Sequence, residues 1–395
     1  MRITARNESE RSMTSVEVHG HCNPKFQTVA DRFARNFEEF DEVGASVAVT
    51  VEGEAVVDLW AGHADAERTR PWERDTIVNT WSSTKGVTAT AAHVLVDRGL
   101  LDVDAPVAEY WPEFAQAGKV TLPVRYLLTH QAGLAAWEGD HPRETTLDWH
   151  AATAALAATK PEWEPGSGNG YHAVTFGWLV GEVVRRIAGT STFREALREL
   201  VTRPLDADFH VGLSESAFAR VADILRERAT VAPNAAPPDR SSLRFRAFAP
   251  LGRIDPNSAD WRRAEIPGAN GHGNARSLAR IYAPLANGGT IHGLRLMAPE
   301  TIEQAAKLQV SSEDLVLGGL THRTLGYMLP FAERGDVRPP TAFGHGGAGG
   351  SQGFADPAAR VSFAYVMNQM SGAGGVSGAL DPRGQALCKA LYDAL

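Results

Sequence analysis

At both ends of the chain, short runs of small and β-branched residues break at turn signals, whereas apolar residues in the middle recur at helical spacing. Residues 44–51 (GASVAVTV) and 54–59 are separated only by Glu52-Gly53, which predicts a β-hairpin with a tight turn. Near the other end, residues 352–356 and 361–367 (VSFAYVM) flank Pro357-Ala-Ala-Arg360 and predict two antiparallel strands. Residues 24–40 carry apolar positions at helical spacing, and 384–395 predict a closing helix.

Between these ends, residues 86–98 (GVTATAAHVLVDR) predict a buried helix stopped by Gly99. Further helices are predicted over 125–129, 174–188, 192–201 and 215–229. Residues 233–240 predict a loop, 254–266 a polar irregular stretch, and 371–378 (SGAGGVSG) a flexible loop at the mouth of a site. Strand residues split by a helical insertion predict an α/β (α+β) molecule. Its α/β region takes residues 24–80 and 275–395, and its mostly helical region takes 81–274. Residues 1–23 predict a disordered arm.

Composition narrows the partners. The chain has 395 residues, 43% hydrophobic and 22% charged, which suits a large globular core. A net charge of −8 argues against nucleic acid or an anionic membrane as partner. The first 20 residues lack the apolar core of a secretory signal, and no stretch approaches the 18 apolar residues of a membrane span. Only Cys22 and Cys388 are present, at opposite ends, so no disulfide is expected and a cytoplasmic location is the plainer expectation. His19-Gly-His21-Cys22 has no matching ligand set, and neither metal nor cofactor is expected.

Chemistry enters at Ser82-Ser-Thr-Lys85, the entrance to the buried helix. Positions i and i+3 are neighbours on a helix, so the Ser82 hydroxyl and the Lys85 amine can touch within one turn. A neutral serine needs an adjacent base to act as a nucleophile. At a helix N-terminus, developing negative charge is also favoured. For Lys85 to be a base near pH 7, its pKa must fall by about 3 units, roughly 4 kcal/mol, which demands a closed site. A charged Lys85 that only orients Ser82 is the other role open to it.

Downstream lie Tyr171-His-Ala173 and His345-Gly346-Gly347-Ala348. Their order and spacing after Ser82-x-x-Lys85 resemble the serine β-lactamase and penicillin-binding-protein superfamily, whose motifs are Ser-x-x-Lys, Tyr-x-Asn (or Ser) and Lys-Thr-Gly or His-x-Gly. Residues 126–134, 171–182, 269–280 and 353–357 extend the likeness, in particular to the family VIII carboxylesterases, over roughly residues 30–370. The resemblance implies a β-lactamase/transpeptidase-like fold: an antiparallel sheet flanked by helices, an all-helical region, and an active site at their junction. It implies Ser82 as nucleophile, Lys85 and Tyr171 as its proton-transfer partners, and the backbone N–H groups of Ser82 and Ala348 as an oxyanion hole. His345, Gly346 and Gly347 would line the substrate.

Two departures bear on substrate. Ala173 stands where the superfamily places a polar side chain that positions lactams, and His345 replaces a lysine that supplies fixed positive charge. Both favour small-molecule carboxylic esters of small to medium acyl chain. On the same scaffold, a β-lactamase, a D-amino-acid peptidase or amidase, an acyltransferase, or an idle binding protein remain the alternatives. Other features read as structural. Gly349-Gly-Ser351-Gln-Gly353 fits a nucleophile-elbow pattern, but that elbow needs a helix after the serine, and a strand is predicted there. His130, His172 and His272 read as packed, hydrogen-bonded residues, and Trp81 as core or pocket wall.

Overall fold

The computed structural model describes residues 16–139, 141–226, 239–371 and 380–395. Six antiparallel strands form the main sheet: β1 (Val18–Cys22), β2 (Gly44–Val51), β3 (Glu54–Gly62), β4 (Phe343–Gly346), β5 (Gln352–Asp356) and β6 (Val361–Met367), in the order β1-β3-β2-β6-β5-β4. The pairing of β2 with β6 joins the two ends of the chain, with Ala48 opposite Ala364. β2 and β6 are buried on both faces, which explains their near-continuous runs of small and β-branched residues.

Alternation along these strands sends side chains to opposite faces. Val47, Val49, Phe363 and Tyr365 pack with Phe33 of α1 (Gln27–Glu39) and Leu387 of the C-terminal helix (Pro382–Tyr392). Ala48, Ala355 and Ala364 face the other way, into the larger core. The hydroxyls of that face fix the helix lying over it: Ser362 Oγ donates to the Ala279 carbonyl at 2.9 Å, and Ser46 Oγ accepts from the Ala275 N–H at 3.2 Å.

The central helix is α2 (Ser83–Asp97), buried on every side from Ser83 to Leu95. It packs between β4 and α3 (Thr175–Ala188). Three further helices frame the molecule: α4 (Leu243–Gly252), α5 (Ala275–Ala286, capped by Asn274), which packs on the sheet face that carries Ser46 and Ser362, and α6 (Pro382–Tyr392), which packs with α1 on the sheet's other face. α2 therefore spans the contact between the sheet and the helical layer.

Three expectations need correction. Val18–Cys22 of the supposed disordered arm is β1, paired with β3 from Val18–Ala61 to Cys22–Val57; residues 1–15 lie outside the described residues. Residues 215–229 are not a helix: Glu215–Arg220 is a 3₁₀ turn, after which the chain runs extended and bridges Ile77 and Gln369. The stretch 254–266 contains a helical turn, Ala259–Arg263, capped by Ser258. Most of the predicted loops at 233–240 and 371–378 lies outside the described residues.

Strands also occur within and beside the helical layer. Val78–Asn79, Phe209–Val211 and Gly271–Gly273 form a small sheet just before Ser82. A hairpin of Val310–Glu313 and Leu320–Arg323 bridges Asn169 of the helical layer, and through Met328 it reaches Gly344 on β4.

Candidate active site

Ser82 caps α2 with its hydroxyl uncommitted to capping, in contrast to Asn274 at the start of α5. The preceding residue, Trp81, has φ +48°, a left-handed conformation that costs a bulky residue of order 1–3 kcal/mol. That sharp turn begins α2 directly at the serine. Ser82 is partly exposed, while the residues on either side are buried.

Lys85 lies one turn in and is 0% exposed. Its Nζ is 3.1 Å from Ser82 Oγ, 2.7 Å from the Ala173 carbonyl and 2.6 Å from the Gly268 carbonyl. Carbonyl oxygens only accept, so they hold two N–H groups of Lys85 and leave its third position on Ser82. A neutral amine in this setting points its lone pair at the serine proton. Burial, reinforced by the Arg323 charge, drives the Lys85 pKa well below its ordinary value. The two carbonyls were not foreseen, since backbone acceptors carry no side-chain signal. Gly268 reaches Lys85 because α3 is bare at Gly177, where an added Cβ would lie 2.2 Å from the Gly268 nitrogen.

Tyr171 meets the Lys85 amine with its ring, Nζ lying 4.7 Å from the ring centroid. Its hydroxyl is buried without a hydrogen-bond partner. Burial raises its pKa, and the nearby Ser82 and Arg323 only partly oppose this. Burial therefore favours the protonated phenol.

His345 sits on β4 at the sheet edge and is buried. Its Nδ1 lies 2.7 Å from the Gly346 carbonyl, so Nδ1 carries the proton and Nε2 is a bare acceptor without a partner. Burial above all pushes its pKa down to about 3. The ring stands 6.3 Å from that of Tyr171. After it, the chain presses on the start of α2. A Cβ at Gly347 would lie 2.3 Å from the Thr80 carbonyl and 3.2 Å from the Ser82 nitrogen. Gly346 and Gly347 thus bring the partly exposed Ala348 to the mouth of the site. Among the described residues, neither the Ser82 N–H nor the Ala348 N–H donates to another backbone carbonyl.

The remaining candidates have structural partners. Ser351 Oγ donates to the Thr80 carbonyl at 2.7 Å, and β5 rather than a helix follows it. His172 accepts from the Leu134 N–H at 3.0 Å through Nε2 and bonds the Gly170 carbonyl through Nδ1. His130 accepts from the His172 N–H at 3.0 Å. His272 lies in the small sheet, held to the Asn270 carbonyl at 2.7 Å. Trp81 packs against Trp261. Among the described residues, no three His, Cys, Asp or Glu side chains gather as a metal set, and no helix is long and apolar enough to cross a membrane.

A cavity of about 1160 Å³ opens beside the site, walled by Trp137, Phe245, Phe248 and Pro250 with Arg240 and Arg244 also lining it. Ser82 is not part of its wall. Phe248 links the two, its ring 6.4 Å from that of Tyr171.

Residues 33–386 match the Beta-lactamase family. The chain is 40% identical over 367 residues to "Esterase/beta-lactamase LipL" of Mycobacterium tuberculosis, covering 89% of this chain and 83% of that protein. Among solved structures, a family VIII carboxylesterase is 44% identical with a TM-score of 0.88, covering 96% of this chain and 100% of that one. A penicillin-binding-protein homologue from Caulobacter crescentus is 41% identical with a TM-score of 0.87, over 96% of this chain and 100% of that one.

Proposed function

The chain belongs to the Beta-lactamase family, and from that premise we propose that it is a serine hydrolase cleaving carboxylic esters of small to medium acyl chain through an acyl-enzyme. The observation that carries this reading is the triple contact of the Lys85 amine, which two carbonyls hold with its remaining position on Ser82 Oγ.

Neutral Lys85 takes the Ser82 proton as Oγ attacks the ester carbonyl. The carbonyl oxygen becomes an oxyanion, stabilised by the N–H groups of Ser82 and Ala348; each such donor is worth about 3 kcal/mol in the transition state. As the tetrahedral intermediate collapses, the proton held by Lys85 passes through the Tyr171 hydroxyl to the departing alkoxide, which leaves as an alcohol. Water then attacks the acyl-enzyme, surrenders a proton to the same relay, and Ser82 recovers it as the carboxylic acid leaves. Tyr171 enters each turnover as the phenol that burial favours. The scheme draws on no metal or cofactor.

Esters are preferred over lactams for two reasons. Ala173 contributes only its carbonyl to the site, and that oxygen already accepts from Lys85. His345 is neutral and offers a substrate carboxylate no positive charge. The β-lactamase reading draws support from the family itself. Assays of one preparation with p-nitrophenyl butyrate and nitrocefin separate the two. Ester turnover with negligible nitrocefin hydrolysis is expected, and the reverse order would reject the ester reading. Cys22 and Cys388 are free thiols, in keeping with a cytoplasmic enzyme.

A further inference from the structure

Behind Tyr171 lies a buried ion pair that the catalytic scheme does not use. Asp314 and Arg323 belong to the hairpin that bridges the helical layer, and their side chains are 0% and 1% exposed. Asp314 Oδ1 accepts from the Tyr171 N–H at 3.0 Å, and from the N–H groups of Val316 and Leu317 at 2.9 and 2.8 Å. Its Oδ2 accepts from Arg323 Nη2. Arg323 Nε donates to Asn169 Oδ1 at 3.1 Å, two residues before Tyr171. The guanidinium carbon lies 5.2 Å from the centroid of the Tyr171 ring, which also receives Lys85 Nζ. One pair thus grips the backbone of Tyr171, its ring and the segment leading to it.

We infer that the Asp314–Arg323 pair is a positioning unit for the catalytic couple: it seats the Tyr171 phenol and keeps the Asp314 carboxylate, which holds the Tyr171 N–H, from becoming the counter-ion of Lys85. This rests on the proposed roles of Ser82, Lys85 and Tyr171. The groups packed around Lys85 are Ser82 on its own helix, Tyr171 before α3, Phe176 on α3, His345 on β4 and the hairpin pair, with His130 and His172 behind Tyr171. Burial holds all three histidines neutral. Asp314 is the one carboxylate in this set, and Arg323 occupies it. Removing the guanidinium charge frees Asp314 to stabilise an ammonium at Lys85. Removing the carboxylate charge exposes Lys85 to an unbalanced cation.

The test is the pH dependence of kcat/KM on p-nitrophenyl butyrate for R323Q, D314N, R323K and the parent enzyme. A Lys85 base must be neutral, so activity rises with pH through its folded pKa. In R323Q the rising limb should move to higher pH by about one unit or more, with the lost activity recovering on the alkaline side. In D314N the amide oxygen can still accept the three backbone N–H groups, and the limb should move to lower pH. R323K keeps the charge and should keep the limb. Should R323Q fail to fold, the D314N shift decides. A limb that stays at its parental position in D314N, whatever the loss in plateau, would overturn the inference and leave the pair purely structural. S82A is run beside them: retained turnover there would reject the site assignment itself, and the inference with it.

Discussion

Among the described residues two lysines are wholly buried, and both give the N–H groups of their amines to backbone carbonyls. Lys85, at the junction of sheet and helical layer, reaches the carbonyls of Ala173 and Gly268. Lys119, in the helical layer, reaches those of Ala157 and Thr159 at 2.9 and 2.6 Å. Burial lowers both pKa values, that of Lys119 to about 8, where Glu138 pulls it back up. Lys85 has no such acid; the charge it feels is the Arg323 cation, which adds to the effect of burial. The third partner differs as well: Lys85 meets a serine hydroxyl, whereas Lys119 lies 5.0 Å from the centroid of the Phe114 ring. Burial and carbonyl contacts are therefore not a catalytic signature. A hydroxyl in reach and the lack of a counter-ion are what set the Lys85 region apart.

The contrast breaks first at the lysines themselves. Lys85→Met should lower kcat by at least about 1,000-fold, as loss of a member of a catalytic unit does. An activity within tenfold of the parent, in a folded variant, would remove Lys85 from the mechanism. Tyr171→Phe should follow, with a loss on the order of 100-fold in kcat, as expected of a general acid–base group. An unchanged rate would assign the proton relay elsewhere. Lys119→Met should leave kcat/KM within about twofold while lowering the unfolding free energy, since each carbonyl left buried without a donor costs about 1–3 kcal/mol. Steady-state kinetics and denaturant melts on the same samples read both effects.

A smaller effect concerns the histidines that crowd the Lys85 region. The folded pKa values of His172 and His345 fall to about 4 and about 3, against about 6.5 for the unfolded chain. Between these limits the unfolded state binds more protons. Their contribution to stability is therefore complete above about pH 6.5 and is lost as the pH falls toward 4, by up to about 1.4 kcal/mol per unit for each group. His172→Gln and His345→Gln should flatten the pH dependence of unfolding over that range. An equal slope in variant and parent would show that these rings titrate normally when folded.

Much of this was legible in the sequence, for reasons that also explain the gaps. The Ser82–Lys85 pair is a local relation, fixed by the helical repeat, and the β2–β3 hairpin and the β5–β6 pair carry their own turns. β1 was not legible because Val18–Cys22 is polar and mostly exposed; only its pairing with a distant strand makes it one. Residues 221–226 run extended because they bridge Ile77 and Gln369, contacts that no local pattern records. The Asp314–Arg323 pair was missed for the same reason: its hairpin (VSSE and LTHR) has little apolar alternation, and its role arises from where it meets Tyr171.

The account stands or falls on which serine carries the acyl group. Incubation with a fluorophosphonate, followed by intact-mass spectrometry and peptide mapping, reads this directly. A single adduct on Ser82 is the predicted result, since that hydroxyl lies 3.1 Å from a buried amine. An adduct on Ser351, whose hydroxyl is committed to the Thr80 carbonyl, or no adduct at all on folded protein, would contradict it.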